Sequence, residues 1–310
     1  MKPTIGFYYY NNSVGEKKDG DLIIECLQNY FNIQVNDEFL TKKYYIGGDS
    51  SPDLYICNNY YTNKNIFENK PSVLICNEEW LAKGHLEYVK DYNYVIVKSS
   101  YAKKIVEKYN KNVIVLPFWS KDRYIEGIKE KQNCLHVVGK SIQKGTEFLL
   151  DIPNLTLYDA SGRYKDLDKR CKYKNRYFPD AKISIAYNKN NLHLCPSIYE
   201  SHGHYMYESL TCGKKPIVTK LPMWKEYIPD DIVTYIDVTR YDSHPSFDFL
   251  SKAYIKPYVF REAYVYDKQD LYNKIEENIN CSFDLSIRKY ILNVFEKRKA
   301  NFLKFILDLL

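Results

Sequence analysis

Two glutamates separated by seven residues, Glu200 and Glu208, lie in the part of this chain whose residue types are best suited to chemistry. The run is Leu194-Cys195-Pro196-Ser197-Ile198-Tyr199-Glu200-Ser201-His202-Gly203-His204-Tyr205-Met206-Tyr207-Glu208-Ser209-Leu210-Thr211-Cys212-Gly213. An apolar strand is expected to end at Pro196 and a short loop to carry Glu200 and Gly203. A helix is expected between His204 and Cys212, stopped by Gly213. A helix that starts near Gly203 to Tyr205 offers backbone N–H groups without intrahelical partners and a partial positive charge. Those groups suit a phosphate-bearing anion, and glycine permits its close approach.

A second loop, Gly139-Lys140-Ser141-Ile142-Gln143-Lys144-Gly145, follows the apolar run Cys134 to Val138. Lysines on a loop can be ordinary surface cations. Their place directly after a strand makes Lys140 and Lys144 candidates for holding an anion. Spacing alone leaves Glu200 and Glu208 as one loop carboxylate and one solvated helix residue, and only the whole punctuated string is specific. His202 and His204 stand two apart on a turn. A metal would need a third ligand, so His202 is read as facing a ligand or packing, and no metal site is assigned.

With its Pro196-Ser197, Glu200-x7-Glu208, Gly203, Cys212-Gly213 and the strand beginning at Pro216, the segment resembles the retaining glycosyltransferases of family four, which have the GT-B fold. The resemblance extends weakly over most of the chain. It includes Val97-Lys98-Ser99-Ser100-Tyr101 and Val113-Ile114-Val115-Leu116-Pro117, which look like the end of that family's first domain. It implies α/β architecture with two Rossmann-like βαβ domains facing a central cleft, and a C-terminal helix crossing back to the first domain.

The resemblance also implies roles. Glu208 would reach the ribose hydroxyls of a nucleotide sugar. Glu200 would accept hydrogen bonds from the sugar or lie beneath its anomeric carbon. Ser201, His202, Gly203, His204 and Gly139 would line the donor, and Gly15 matches a glycine loop near the donor phosphate. Lys140 and Lys144 would grip the diphosphate, although Lys140 stands where the family usually has arginine and lacks its bidentate fork. Near Asn77-Glu78-Glu79-Trp80 many family members carry a histidine that this chain lacks. Glu78 and the later His85 are the acceptor-side candidates.

The implied reaction moves a sugar from a nucleotide-sugar donor to a glycan, lipid or protein-linked acceptor with retention of configuration. The lysines and the helix start would stabilise the leaving diphosphate without a metal or other cofactor. Asp19-Gly20-Asp21 is the nearest approach to an Asp-x-Asp string and sits in the other half. The rival readings are a non-catalytic nucleotide-sugar or polyanion-binding protein on the same scaffold and a DNA-modifying glucosyltransferase. The latter would use the basic stretch Arg163 to Arg176, for which a solvated face is the plainer reading and nucleic acid not the expected partner.

These loops require elements to hold them. Strands are expected over Thr4–Tyr10, Leu54–Cys57, Val73–Cys76, Tyr94–Val97 and Val113–Leu116. Asn11 to Gly20 reads as a polar loop, Asp21 to Phe31 as a helix, and Tyr101 to Tyr109 as a helix with a serine cap. After a polar link at 121–133, strands are expected at Cys134–Val138, Leu155–Tyr158, Ile183–Ala186, Leu192–Leu194, Pro216–Thr219 and Val233–Ile236. A short helix is expected at Thr146–Leu150. Strands alternating with helices predict parallel sheets covered on both faces. The domains read as 1–120 for the acceptor, 134–285 for the donor, and 286–310 as an amphipathic helix packing back on the first domain.

Totals set bounds on this reading. The 310 residues suit two domains, and a 45% apolar content affords them cores. The net charge of +6 fits a phosphate-bearing ligand and is too weak to demand nucleic acid. Eight cysteines without a C-x-x-C pair read as buried free thiols in a reducing compartment. With no signal-like N-terminus and no apolar run near the length of a membrane span, a cytoplasmic protein is expected. The basic amphipathic C-terminal helix allows peripheral membrane contact as an alternative to packing.

Overall fold

A computed structural model describes residues 2–9, 14–37, 42–46, 51–138, 142–159, 172–175, 179–241 and 262–310. The chain divides into two compact units. One comprises 1–119, 249–260 and 296–310, and the other 120–248 and 261–295.

The first unit holds β1 (Thr4–Tyr9), α1 (Val14–Leu27), β2 (Asn32–Asp37), β3 (Lys42–Ile46), β4 (Leu54–Asn58), β5 (Ser72–Ile75), α2 (Leu86–Val89), β6 (Tyr94–Val97), α3 (Ser100–Val106) and β7 (Val113–Val115). The described strands form one sheet in the order β3-β2-β1-β4-β5-β6-β7, parallel except for the β2–β3 pair. Parallel strands covered on both faces need unbroken apolar runs, and β4 and β5 are buried along their whole lengths. The Ser99 side chain caps α3 by accepting from the Ala102 N–H, as expected of a serine before a helix.

The second unit holds β8 (Lys131–Val138), β9 (Leu155–Asp159), β10 (Lys172–Asn175), α4 (Asp180–Lys189), β11 (Asn190–Cys195), α5 (His204–Thr211), β12 (Ile217–Thr219), α6 (Pro222–Lys225), β13 (Thr234–Ile236), β14 (Val238–Tyr241), β15 (Ala263–Tyr266) and α7 (Lys268–Asn278). Its main sheet runs β10-β9-β8-β11-β12-β13, all parallel, the Rossmann order in which direction reverses between β8 and β11. Cys134, Val138, Leu155, Leu157, Leu192, Leu194, Ile217 and Ile236 from these strands form its core.

Helix α8 (Leu285–Asp308) closes the chain, and its residues from Glu296 onward belong to the first unit. There Phe302 meets Phe118 and Trp119 edge-on at 6.0 and 5.6 Å between centroids, and Arg298 Nη1 donates to the Phe118 carbonyl. Ile291, Phe295, Phe302 and Ile306 of this helix are all buried. No described helix is long and apolar enough to cross a membrane.

Two expectations are corrected. Residues 14–20 are not a loop but the first half of α1. The buried stripe of that helix begins with Asp19 and Gly20 before Ile23, Ile24 and Leu27, so a charged residue masked its start. Asp19 is paired with Lys98 at 2.7 Å, with both side chains out of water. Ile183–Ala186 is not a strand but part of α4, where Ile183, Ala186 and Tyr187 share a helical face against Leu135 and Cys212. Residues 121–133, read as a link, end in the first residues of β8. They belong to the second unit, and Arg123 is buried there.

Candidate functional site

In an open parallel sheet the crevice lies beyond the carboxyl ends of the strands where the order reverses. In the second unit that point joins the loops after β8 and β11, and they are fastened together. The Ile198 N–H donates to the Gln143 carbonyl at 2.8 Å. Gly145 has φ +65°, and a Cβ there would lie 2.3 Å from the Pro196 carbonyl oxygen, so only glycine lets the loops touch. Beneath them His136 bridges β11 and the turn. Its Nδ1 is 2.8 Å from the Leu194 carbonyl and its Nε2 2.9 Å from Thr146 Oγ1. A carbonyl only accepts, so Nδ1 carries the proton and Nε2 accepts from the threonine. Burial pushes the His136 pKa down to about 4, which keeps this ring neutral.

These fastenings bring Lys144 and Glu200 together as an ion pair, each side chain still partly open to water. Ser197 Oγ donates to Glu200 Oε2 at 3.2 Å, and Tyr205 places its ring beneath Lys144, with the ammonium 4.3 Å from the centroid. A cation and a carboxylate at the mouth of the crevice can grip an anion and orient hydroxyls.

Helix α5 begins beside this pair. Its cap, Gly203, has φ +79°, and a Cβ there would come within 2.6 Å of the Trp224 ring. Trp224 Nε1 in turn donates to the His202 carbonyl at 2.9 Å. The glycine therefore serves helix entry and packing as well as any close approach of a ligand. Ser201 and His202 are buried in the bend, and His204 opens the helix half-buried. Ser120 Oγ stands 3.1 Å from His202 Nε2 and 2.8 Å from His204 Nδ1. Its single proton goes to one ring, and it accepts from the other. The His202 ring stacks on Tyr207 at 4.5 Å.

Glu208, the residue expected to reach the ribose, lies in the second turn of α5. Its side chain is fully buried, and Oε1 accepts from Arg123 Nε at 3.0 Å while Arg123 Nη2 also lies 3.0 Å away. Arg123 reaches on to Asp180 at 3.0 Å, and its backbone N–H donates to Thr211 Oγ1. Burial raises the Asp180 carboxyl, but the hydrogen bond from Lys121 and the charge and hydrogen bond of Arg123 outweigh it and hold the group at about 2. One turn into α5, Glu208 thus points inward, where an arginine from the segment after Ser120 neutralises it.

In the first unit Gly15 is the second residue of α1 rather than part of a loop, with open space where its Cβ would be. Glu78 lies in a helical turn, Glu78–Trp80, after β5, with its side chain buried beside that of Glu79. Around the same carboxyl ends Asn59 donates to Glu16 at 2.7 Å, and the Tyr61 hydroxyl donates to Asn59 Oδ1 at 2.9 Å. His85 stacks on Tyr61 at 4.1 Å, and its Nδ1 accepts from the Ala82 N–H. Asp19 and Asp21 are each in an ion pair, with Lys98 and Lys17, which gives the Asp-x-Asp string a structural use.

Gly139 and Lys140 lie outside the described residues, as does most of the basic stretch from Arg163 to Arg176. Its residues 172–175 form edge strand β10. Among the described residues seven cysteines are free thiols, and burial pushes Cys57, Cys76, Cys134 and Cys212 up to about 12. No group of three or more His, Cys, Asp or Glu converges on a metal position among the described residues. Sequence reasoning missed Arg123, Ser120, Tyr205 and His136, and gave Ser197 no role beyond its place in the segment. Arg123 and Ser120 sit in a polar stretch with no periodicity, and Tyr205 is one of 32 tyrosines.

No protein-family model matches the chain, and no curated protein matches it in sequence. Solved structures do match it. Sucrose-phosphate synthase from Thermosynechococcus elongatus superposes with a TM-score of 0.66 at 12% identity, over 99% of this chain and 99% of that one. HepE (Alr3699) of Anabaena, solved in complex with UDP and glucose, gives 0.64 at 13%, over 99% and 100%. A trehalose 6-phosphate synthase from Burkholderia multivorans gives 0.61 at 7%, over 100% and 98%. At such identities the likeness speaks for the fold, which is the GT-B fold of two Rossmann-like α/β units.

Proposed function

We propose that this chain is a glycosyltransferase that takes its sugar from a nucleotide-sugar donor held in the second unit. The observation that carries this reading is the Lys144–Glu200 pair at the switch point of a Rossmann-ordered sheet, beside the start of α5. Lys144 grips the donor diphosphate, together with the N–H groups at the first turn of α5 and, by the sequence resemblance, Lys140 and Gly139. Glu200 accepts from the sugar hydroxyls next to the anomeric carbon.

In the reaction the bond from C1 to the diphosphate oxygen breaks, and its electron pair leaves with the diphosphate. An acceptor hydroxyl oxygen bonds to C1, and its proton ends on the departing phosphate. Charge develops on the leaving diphosphate, where the Lys144 ammonium and the helix start stabilise it, so no metal is required. Retention of configuration and kinship with family four are what the resemblance of the whole segment from Pro196 to Pro216 implies. The first unit takes a carbohydrate or glycoconjugate acceptor at the carboxyl ends of β4 and β5, near Glu78. Support comes from the fold shared with the solved structures, of which the HepE complex holds UDP and glucose.

A panel of nucleotide sugars, scored for released nucleoside diphosphate with and without a chelator, tests the proposal. Turnover of one donor in the chelator, reduced about a hundredfold or more in Glu200→Gln, is expected. Donor binding without turnover for every acceptor tried would make the chain a binding protein instead.

A further inference from the structure

Lys144 has two partners in the second unit, and only one of them can be exchanged. The Glu200 carboxylate is hydrogen-bonding equipment that a sugar can claim. The other partner is the face of the Tyr205 ring, 4.3 Å from the ammonium. Ser197 spends its proton on Glu200, so the Tyr205 hydroxyl, 2.6 Å from Ser197 Oγ, is the donor of that contact. Tyr205 therefore touches both arms of the pair, its ring under the cation and its hydroxyl behind the carboxylate through Ser197. The ring itself is fixed. It is buried, the His136 ring meets it edge-on at 6.2 Å, and Trp224 lies 6.4 Å away.

We propose that Tyr205 is a positioning residue for the donor diphosphate: its ring keeps the Lys144 ammonium on station when phosphate oxygens draw it from Glu200. This rests on the donor site proposed above and deepens it. A lysine head on four flexible carbons loses its orientation once it leaves its carboxylate. A ring face attracts the cation without consuming its N–H donors, which stay available to phosphate oxygens. Burial also raises the Tyr205 phenol well above its usual range, so the hydroxyl remains a donor and the ring remains uncharged.

The test replaces residue 205 by phenylalanine and then by mono-, di- and pentafluorinated phenylalanines, which keep the ring's shape while weakening its face. Inorganic pyrophosphate is the probe, titrated calorimetrically into each full-length protein. The phenylalanine form should bind within about twofold of the native chain, and affinity should then fall stepwise to a loss of about fivefold for the pentafluoro ring. A purely structural ring would give a flat series, and that result overturns the proposal. Failure of the native chain itself to bind pyrophosphate would instead remove the donor-site reading on which it stands.

Discussion

Arg123 and Glu208 form an ion pair in which both side chains are withdrawn from water, at 1% and 0% exposure. Two buried charges are tolerated only while each answers the other, because desolvation of either alone costs several kcal/mol. The pair also ties the segment after Ser120 to α5, the helix that opens the candidate donor site. Arg123→Ala should therefore cost about 3–5 kcal/mol in urea unfolding. Arg123→Met combined with Glu208→Leu should recover most of it, since an apolar pair of similar volume leaves no stranded charge. Recovery of nothing would mean that the helix depends on these charges in another way.

Glu200 and Lys144 face each other but should fail differently when changed. Lys144→Met removes charge that attracts the donor in its ground state as well as in the transition state. The donor KM should rise about tenfold with a smaller fall in kcat. Glu200→Gln keeps the hydrogen-bonding shape but not the charge, so kcat should fall while donor KM stays within about threefold. Steady-state kinetics on the donor found in the panel separates the two. Identical patterns for both variants would dissolve the division of labour.

Much of the second unit's site was legible because glycine and proline mark its turns. Pro196, Gly203 and Gly213 fixed where β11 ends and where α5 starts and stops, whatever the tyrosines between them do. Misreadings came where polar residues carry tertiary roles. Asp19 hid the first turns of α1 because its partner Lys98 lies 79 residues away. The run 183–186 was short enough to read as a strand, and only the neighbouring Tyr187, buried against the same face, makes it helical. Arg123 could not be paired with Glu208 because nothing local connects residues 85 apart.

Gly145 tests the fastening of the two loops. Its φ of +65° and the 2.3 Å that a Cβ would leave to the Pro196 carbonyl make alanine doubly unfavourable there. Gly145→Ala should cost about 1–3 kcal/mol of stability and also move Lys144 off Glu200. Activity in this variant should fall by more than the loss of folded protein explains. The check is kcat/KM per folded molecule, counted by circular dichroism. A variant that is unstable but fully active per folded molecule would show that the pair does not depend on this contact.

His136 and His193 make the second unit sensitive to acid. Burial lowers their pKa values to about 4 and about 3, from an unfolded value near 6.5. Below about pH 6.5 the unfolded chain takes up protons that the folded chain refuses, so stability falls with pH until the folded pKa values are reached. Each unit of difference is worth about 1.4 kcal/mol per histidine, so the loss between pH 7 and pH 4 is large for a domain. His193 Nε2 donates to the Tyr187 and Asn190 carbonyls, so His193→Gln removes one of the two buried imidazoles and leaves Lys144 and Glu200 in place. Urea unfolding at a series of pH values should show a shallower acid decline for His193→Gln than for the native chain, even though its stability at pH 7.5 is lower. Parallel declines would mean that groups other than His193 set the acid limit.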